Sequence, residues 1–412
     1  MRNAFNQFAL VCASLVLSAL ILEVSVRSFV DMPILHAATP GVIVRDAREF
    51  WAMEPGRQFV FDNGIDFRDK SAKIDADGGR QIPCAGGVHG DARRIILIGD
   101  SQTFGVGLSD NETWANWLQC RLNSTGEEPA KVHNLGVPGT GVDEYFRRGM
   151  IQVAPSVVPG DIVVVSVTWN DLHTFYTGEG WLKTVLAISG LREKDTGNAK
   201  TAAVEALPDR PEDRVGTADR SLLAMQLKIP VHRLNKPTWR YRVYRDYGVL
   251  IPAFGSFWEF GQSMVYVSAA FRLAWSRARL IYYRFRPSDE LFRKIPKRAF
   301  KANFLALKAL DTLLQRRGVE MLIQLLPNRL FFDDFYYRAY SKNGVVFPAR
   351  DFIGHVSQPF CTSLKLKCLN RFADLQTAER DAHTFAFDGH YNELGAARIG
   401  EALAIDLKAK LQ

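Results

Sequence analysis

From Asp161 to Thr168 the chain reads DIVVVSVT, a run that is rich in β-branched residues and almost wholly apolar. Branching at Cβ favours an extended backbone. A strand with one wet face would alternate apolar and polar residues. A continuous apolar run needs cover on both faces, which is the environment of a parallel sheet packed between helices. Arg94 to Ile98, Lys131 to Leu135 and Val319 to Leu326 repeat the pattern, the last stopped by Pro327, and Leu364 to Leu369 offers a fifth short run. Helical spacing lies between them. Glu112 to Leu122 sets Trp114, Trp117 and Leu118 on one side, Phe304 to Arg317 is amphipathic and ends at Gly318, and Leu394 to Leu411 is Ala-rich. Strands alternating with helices predict an α/β fold of three layers, helices on both faces of a parallel sheet. A length of 412 residues accommodates one large domain or two to three small ones. With 47% hydrophobic and 23% charged residues, neither a disordered chain nor a polytopic membrane protein fits.

The N-terminus adds a second constraint. Phe8 to Leu22 is free of charge, and Glu23 and Arg27 follow. A bilayer core takes about 20 apolar residues, and a signal-peptide core about 7–15. Glu23 and Arg27 stand i, i+4 on a helix, where pairing lowers the cost of placing them near an interface. No small-x-small cleavage signal closely follows the run, and His36-Ala37-Ala38 lies well downstream. Residues 1–34 therefore read as an uncleaved signal anchor, with a cleaved signal as the alternative. Arg2 favours the N-terminus inside and the body outside. Cys12 follows Val11 within the apolar run and does not read as a lipidation site. Cys84, Cys120, Cys361 and Cys368 form an even set, which permits disulfides in an exported body. Cys361 and Cys368 would close a short loop; three pairings are possible, and four buried thiols are the other reading. Residues 35–93, rich in Gly, Asp and Pro, read as an irregular lead-in.

The first predicted strand runs into Gly99-Asp100-Ser101-Gln102-Thr103-Phe104-Gly105. A hydroxyl on a sharp turn after a buried strand stands at the carboxyl edge of the sheet, where open α/β folds bind ligands. A helix N-terminus there favours a developing oxyanion. Three further blocks follow in order: Asn134-Leu135-Gly136-Val137-Pro138-Gly139, then Thr168-Trp169-Asn170-Asp171, then Phe387-Asp388-Gly389-His390-Tyr391-Asn392-Glu393-Leu394-Gly395. Together they resemble the SGNH (GDSL-type) serine hydrolase superfamily, in its exported, membrane-anchored bacterial form. The resemblance covers about residues 94–171 and 302–408.

That resemblance implies a flavodoxin-like sheet over residues 94–171 and 302–412, the SGNH hydrolase fold. It also implies a serine esterase that needs no metal or other cofactor. Serine at its free pKa is a weak nucleophile and needs a base in hydrogen-bond reach. Ser101 matches the nucleophile, His390 the base and Asp388 the carboxylate that orients it. The Ser101 amide, the Gly136 amide and the Asn170 side chain match the oxyanion donors. Two departures stand out. Thr168 replaces the usual glycine, a change expected to affect packing more than chemistry. Phe387 occupies the usual aspartate position, so that Asp388 lies two residues before His390. Asp381-Ala382-His383 copies that spacing without the following Asn-x-x-Gly. Asp100 reads as structural, and Asp171 as a cap for the segment after it.

An ester-bearing substrate is the expected partner, an acylated polysaccharide or lipid, with O-acetyl groups on an envelope carbohydrate as the leading candidate. The expected location is the inner membrane, crossed once, with the catalytic domain on the periplasmic side. An acyltransferase with the same triad and a sugar hydroxyl as acceptor is one alternative, and a non-catalytic binding protein of the same fold is another. Dinucleotide, P-loop and H-E-x-x-H motifs are absent from the sequence. The net charge of +8 would suit a nucleic-acid partner, but it is local. Residues 231–301 hold 15 Lys and Arg against 4 Asp and Glu, a net +11 that leaves −3 for the rest. Arginines such as Arg242, Arg245 and Arg284 are interleaved there with Tyr241, Tyr244 and Tyr283. An exported location and the lack of a recognition motif argue against nucleic acid. Residues 172–301 read as a basic, aromatic insertion: a cap, a lid or a membrane-facing surface.

Overall fold

Ile162–Thr168 forms a strand that is buried at every position. The computed structural model describes residues 2–29, 43–45, 51–61, 66–85, 92–124, 130–172, 268–271, 273–274, 297–332, 350–376, 383–385 and 389–411. Helix α1 (Arg2–Phe29) comes first, and its Ala9–Val26 stretch, with mean hydropathy 2.3, is long and apolar enough to cross a membrane, a test that a signal sequence also passes. Its Glu23 carboxylate accepts hydrogen bonds from the Ser268 hydroxyl (2.8 Å) and the Ala269 and Ala270 amides (2.7 and 3.0 Å). The expected pairing with Arg27 lies outside the described side chains.

Residues 35–93 are less irregular than expected. Strands β1 (Ile43–Arg45) and β2 (Trp51–Met53) pair antiparallel, as do β3 (Gln58–Phe61) and β4 (Lys70–Lys73). These strands have only 3 or 4 residues each, too short for hydrophobic periodicity to register.

The main sheet consists of β5 (Arg93–Ile98), β6 (Ala130–Asn134), β7 (Ile162–Thr168), β8 (Glu320–Leu326) and β9 (Cys368–Asn370). Its order is β6-β5-β7-β8-β9 and every neighbouring pair is parallel. This is the flavodoxin-like order, whose ligand crevice opens where the winding reverses, between β5 and β7. Five further helices complete the layers: α2 (Ser101–Phe104), α3 (Trp114–Ser124), α4 (Val142–Arg148), α5 (Lys297–Gln315) and α6 (Phe352–Ser363); the chain's last helix is α7 (Glu393–Leu411).

The period-2 alternation of the strands divides the core into two halves. Ile96, Ile98, Val163, Val165, Val167 and Ile323 face one side, against Tyr145 and Phe146 of α4, Phe304, Leu307 and Leu310 of α5, and Ile353 of α6. Ile95, Leu97, Ile162, Val164 and Leu322 face the other, against Trp114 and Leu118 of α3, Ile399 and Leu403 of α7, and Phe61 and Ala72 of the lead-in. Burying each such side chain contributes roughly 1.5–3 kcal/mol.

Two expectations shift. Helix α5 begins at Lys297 instead of Phe304. Leu364 and Lys365 form the turn after α6, with Lys365 at φ 53°, so the fifth strand shrinks to Cys368–Asn370. The pairing left open above resolves as Cys84–Cys120, with Cα atoms 5.2 Å apart, and Cys361–Cys368, at 6.1 Å. Cys12 is free and exposed. The first bridge ties the lead-in to α3 across 36 residues of sequence. A loop of that size is worth roughly 4 kcal/mol. Replacing Cys84 and Cys120 together with serine should lower the stability of the detergent-solubilised chain by about that amount in chemical denaturation.

Candidate active site

Strand β5 ends in a turn whose residues dictate its shape. The Asp100 carboxylate accepts from the Gln102 amide at 2.9 Å and caps α2. Gly105, at φ 84°, closes the helix by donating its amide to the Ser101 carbonyl at 2.9 Å, and that left-handed conformation favours glycine. Any side chain at Gly99 would collide with that of Thr103. Ser101 therefore opens α2, partly exposed, with its amide among the first-turn donors that have no partner inside the helix.

Arg80, which sequence reasoning missed, holds this turn from below. It is 1% exposed. Its guanidinium donates to the carbonyls of Phe104 (2.8 Å), Gly105 (2.5 Å) and Leu108, and pairs with Asp110 at 2.9 Å. It also stacks on Phe104, 4.9 Å from the ring centre. Burial pulls its pKa down, against the pull of Asp110. Nothing local marks Arg80: its partners lie 24 to 30 residues away.

Strand β6 delivers Gly136 against α2. A Cβ there would approach Phe104 N to 2.5 Å, so only glycine fits. Its amide donates to Asn134 Oδ1 at 3.0 Å, while Asn134 Nδ2 donates to the Thr103 carbonyl at 2.8 Å. Hence the Gly136 amide is already engaged by a side chain two residues back. Strand β7 ends in the 3-10 turn Trp169–Leu172, which carries Asn170; its side chain lies outside the described set. The segment that Asp171 was expected to cap lies outside the described residues. The Asp171 carboxylate turns back to accept from the Thr168 amide at 2.7 Å and stands 2.9 Å from the Thr168 hydroxyl. Burial, with the nearby Asp100 charge, pushes the Asp171 carboxyl well above the usual range.

His390 lies in the turn before α7. Its carbonyl accepts from the Phe385 amide at 2.9 Å, a bridge joins Thr384 to Tyr391, and Gly389 at φ 87° makes the bend. Gln102, next to Ser101, reaches across: its Oε1 accepts from the Tyr391 amide at 3.1 Å. The Tyr391 hydroxyl donates to the Pro327 carbonyl at 2.5 Å, and burial raises its pKa well above the usual range. The turns of Ser101 and His390 thus meet at one edge of the sheet. Asp388 lies outside the described residues. The competing His383 is 2% exposed and its Nδ1 stands 2.8 Å from the Leu375 carbonyl. Its own carbonyl accepts from the Asn392 amide at 3.2 Å. It is a structural histidine of this turn. Among the described residues, no group of three or more His, Cys, Asp or Glu could hold a metal ion.

Residues 97–227 match the model of the GDSL-like Lipase/Acylhydrolase family. Over that stretch the chain is similar to GDSL-type (SGNH) hydrolases. The match supports a hydrolase acting on ester bonds. Solved structures similar to this chain include the lipase/acylhydrolase from Enterococcus faecalis, at 13% identity over 78% of this chain and 97% of that one, TM-score 0.36. The inhibitor-bound aryl esterase of M. Smegmatis is similar at 10% identity, over 77% and 99%, TM-score 0.35. Est24, a carbohydrate acetylesterase from Sinorhizobium meliloti, is similar at 11% identity, over 77% and 99%, TM-score 0.34. No curated protein matches the chain.

Close packing of Gly136 on α2 makes a direct prediction. Gly136→Ala should displace the Ser101 turn and lower kcat at least tenfold, on the order of one lost positioning interaction. Esterase kinetics alongside thermal unfolding check it.

Proposed function

We propose that this chain is an exported serine esterase held to the inner membrane by α1. Ser101 Oγ attacks the carbonyl carbon of an O-acyl ester and His390 takes its proton. Asp388 orients the imidazole and stabilises its charged form. The oxyanion forms next to the Ser101 amide and the Asn170 side chain. Gly136 joins them by exchanging Asn134 Oδ1 for the substrate oxygen, since its amide is engaged in the resting structure. Collapse of the intermediate returns the proton from His390 to the leaving alcohol and leaves an acyl-Ser101. Water, activated by the same histidine, then releases the acid.

The observation that carries this reading is the Gln102–Tyr391 bond, which draws the turns of the nucleophile and the base to one edge. That edge lies beside the reversal of strand order, where ligands of such sheets bind. Two disulfides support an oxidising compartment outside the cytoplasm, and the apolar stretch of α1 supports membrane anchoring. We assign residues 94–171 and 302–412 to the hydrolase domain and residues 172–301 to an insertion that caps the site or faces the membrane. An oxidising envelope and a membrane anchor favour O-acetyl groups on an envelope carbohydrate as the substrate class.

In the deciding experiment, the full chain and its Ser101→Ala variant are treated with a serine-reactive phosphonate and with acetylated oligosaccharides. Labelling and acetate release by the wild type alone are expected. Equal labelling of both removes Ser101 as the nucleophile. Transfer of acetyl to an added oligosaccharide without acetate release would replace the esterase with an acyltransferase. For the anchor, N-terminal sequencing of the mature protein should find the apolar segment retained, and a start near residue 38 would show a cleaved signal instead.

A further inference from the structure

Thr168 replaces the superfamily's usual glycine, and its hydroxyl is the point where two buried carboxylates meet. Side-chain oxygen Oγ1 stands 3.1 Å from Asp100 Oδ2 and 2.9 Å from Asp171 Oδ2. All three residues are inaccessible: Thr168 is 5% exposed, Asp100 1% and Asp171 0%. Asp100 caps the helix that begins with Ser101, through the Gln102 amide. Asp171 follows Asn170 in the turn after β7. The hydroxyl therefore joins the turn of the proposed nucleophile to the turn of the proposed oxyanion asparagine across 68 residues of sequence.

The Thr168 hydroxyl stands within hydrogen-bond reach of both carboxyl groups and can bridge them. Buried like charges this close do not both ionise readily. Burial and the nearby Asp100 charge push the Asp171 carboxyl well above the usual range. From α4, the Tyr145 hydroxyl bonds Asp171, and the positive charge of Arg148 acts on Tyr145. From the turn before α7, Tyr391 faces Asp100. The Thr168 hydroxyl thus links the Asp171 and Asp100 carboxyl groups.

We propose that Thr168 is a positioning residue for the ester hydrolysis, its hydroxyl locking the Ser101 turn to the Asn170 turn through Asp100 and Asp171. This inference rests on Ser101 and Asn170 having the roles proposed above. Thr168 touches no substrate; it sets the distance between the attacking oxygen and the oxyanion donor. Loss of its hydroxyl should therefore reduce kcat and leave KM nearly unchanged, because ground-state binding does not depend on that distance.

The test uses the full chain in detergent with p-nitrophenyl acetate and the phosphonate probe. Thr168→Val keeps the shape without the hydroxyl, Thr168→Ser keeps the hydroxyl, and Thr168→Gly installs the residue that the superfamily accommodates. Expected are a fall in kcat of about tenfold for Val and Gly, KM within about twofold, slower phosphonate labelling in parallel, and near wild-type rates for Ser. If Val fails to fold, Gly and Ser make the same comparison. Wild-type rates for Val and Gly overturn the proposal, as does a Ser variant that loses as much as Val, since packing would then be the cause. Failure of the wild type to label at Ser101 is a different result. It removes the proposed function itself, and the positioning role with it.

Discussion

Burial of β5 and β7 on both faces is the constraint on which the rest of the structure depends. Val163, Val164, Val165 and Val167 of β7 are fully buried, as are Ile95, Leu97 and Ile98 of β5. Strands so placed allow no wet face, so helices must cover both sides and every connection must cross over. The crossover from β5 to β6 runs through α3 on one face, and that from β6 to β7 runs through α4 on the other. Reversal of direction at β5 opens the crevice between the carboxyl ends of β5 and β7. Ser101 and Asn170 follow those two strand ends. The apolar core thus decides where chemistry can occur before any polar residue is considered.

Polar groups then shape that edge from beneath. Arg80 gathers three carbonyls of the turn after β5, and Asn134 ties β6 to the Thr103 carbonyl. Thr168 meets Asp100 and Asp171 under the strand ends. These groups are buried, and a buried polar group left without a partner costs about 1–3 kcal/mol. Each bond therefore selects against displaced versions of its turn. Rigidity of this kind suits a site whose donors must face a charge that appears only in the transition state.

Much of the architecture was legible in the chain itself. Five strand positions, the helices over α3, α5 and α7, the three blocks at strand ends and the fourth before α7 all follow from local patterns. Apolar periodicity and turn chemistry act over a few residues and survive in a single sequence. The lead-in misled, because β1 to β4 are too short for periodicity and pair as two separate hairpin-like ladders among the described residues. Thr168 departs from the usual glycine, and the reach of its hydroxyl to Asp100, 68 residues away, is not visible in the local sequence. His383 and His390 share the D-x-H spacing; contact with the Leu375 carbonyl marks His383 as structural.

Sequence alone determined the parallel sheet, the hydroxyl at its edge and the local origin of the positive charge, because each is a property of adjacent residues. Tertiary structure alone decided which cysteines pair, that Arg80 supports the turn of Ser101, that the Thr168 hydroxyl reaches Asp100, and that Gln102 meets the turn of His390. Those outcomes depend on partners distant in the chain: 36 residues for Cys84–Cys120, 68 for Thr168–Asp100 and 289 for Gln102–Tyr391. Such contacts form only when the core brings strand ends together. Their energies come from burial, which no local pattern records.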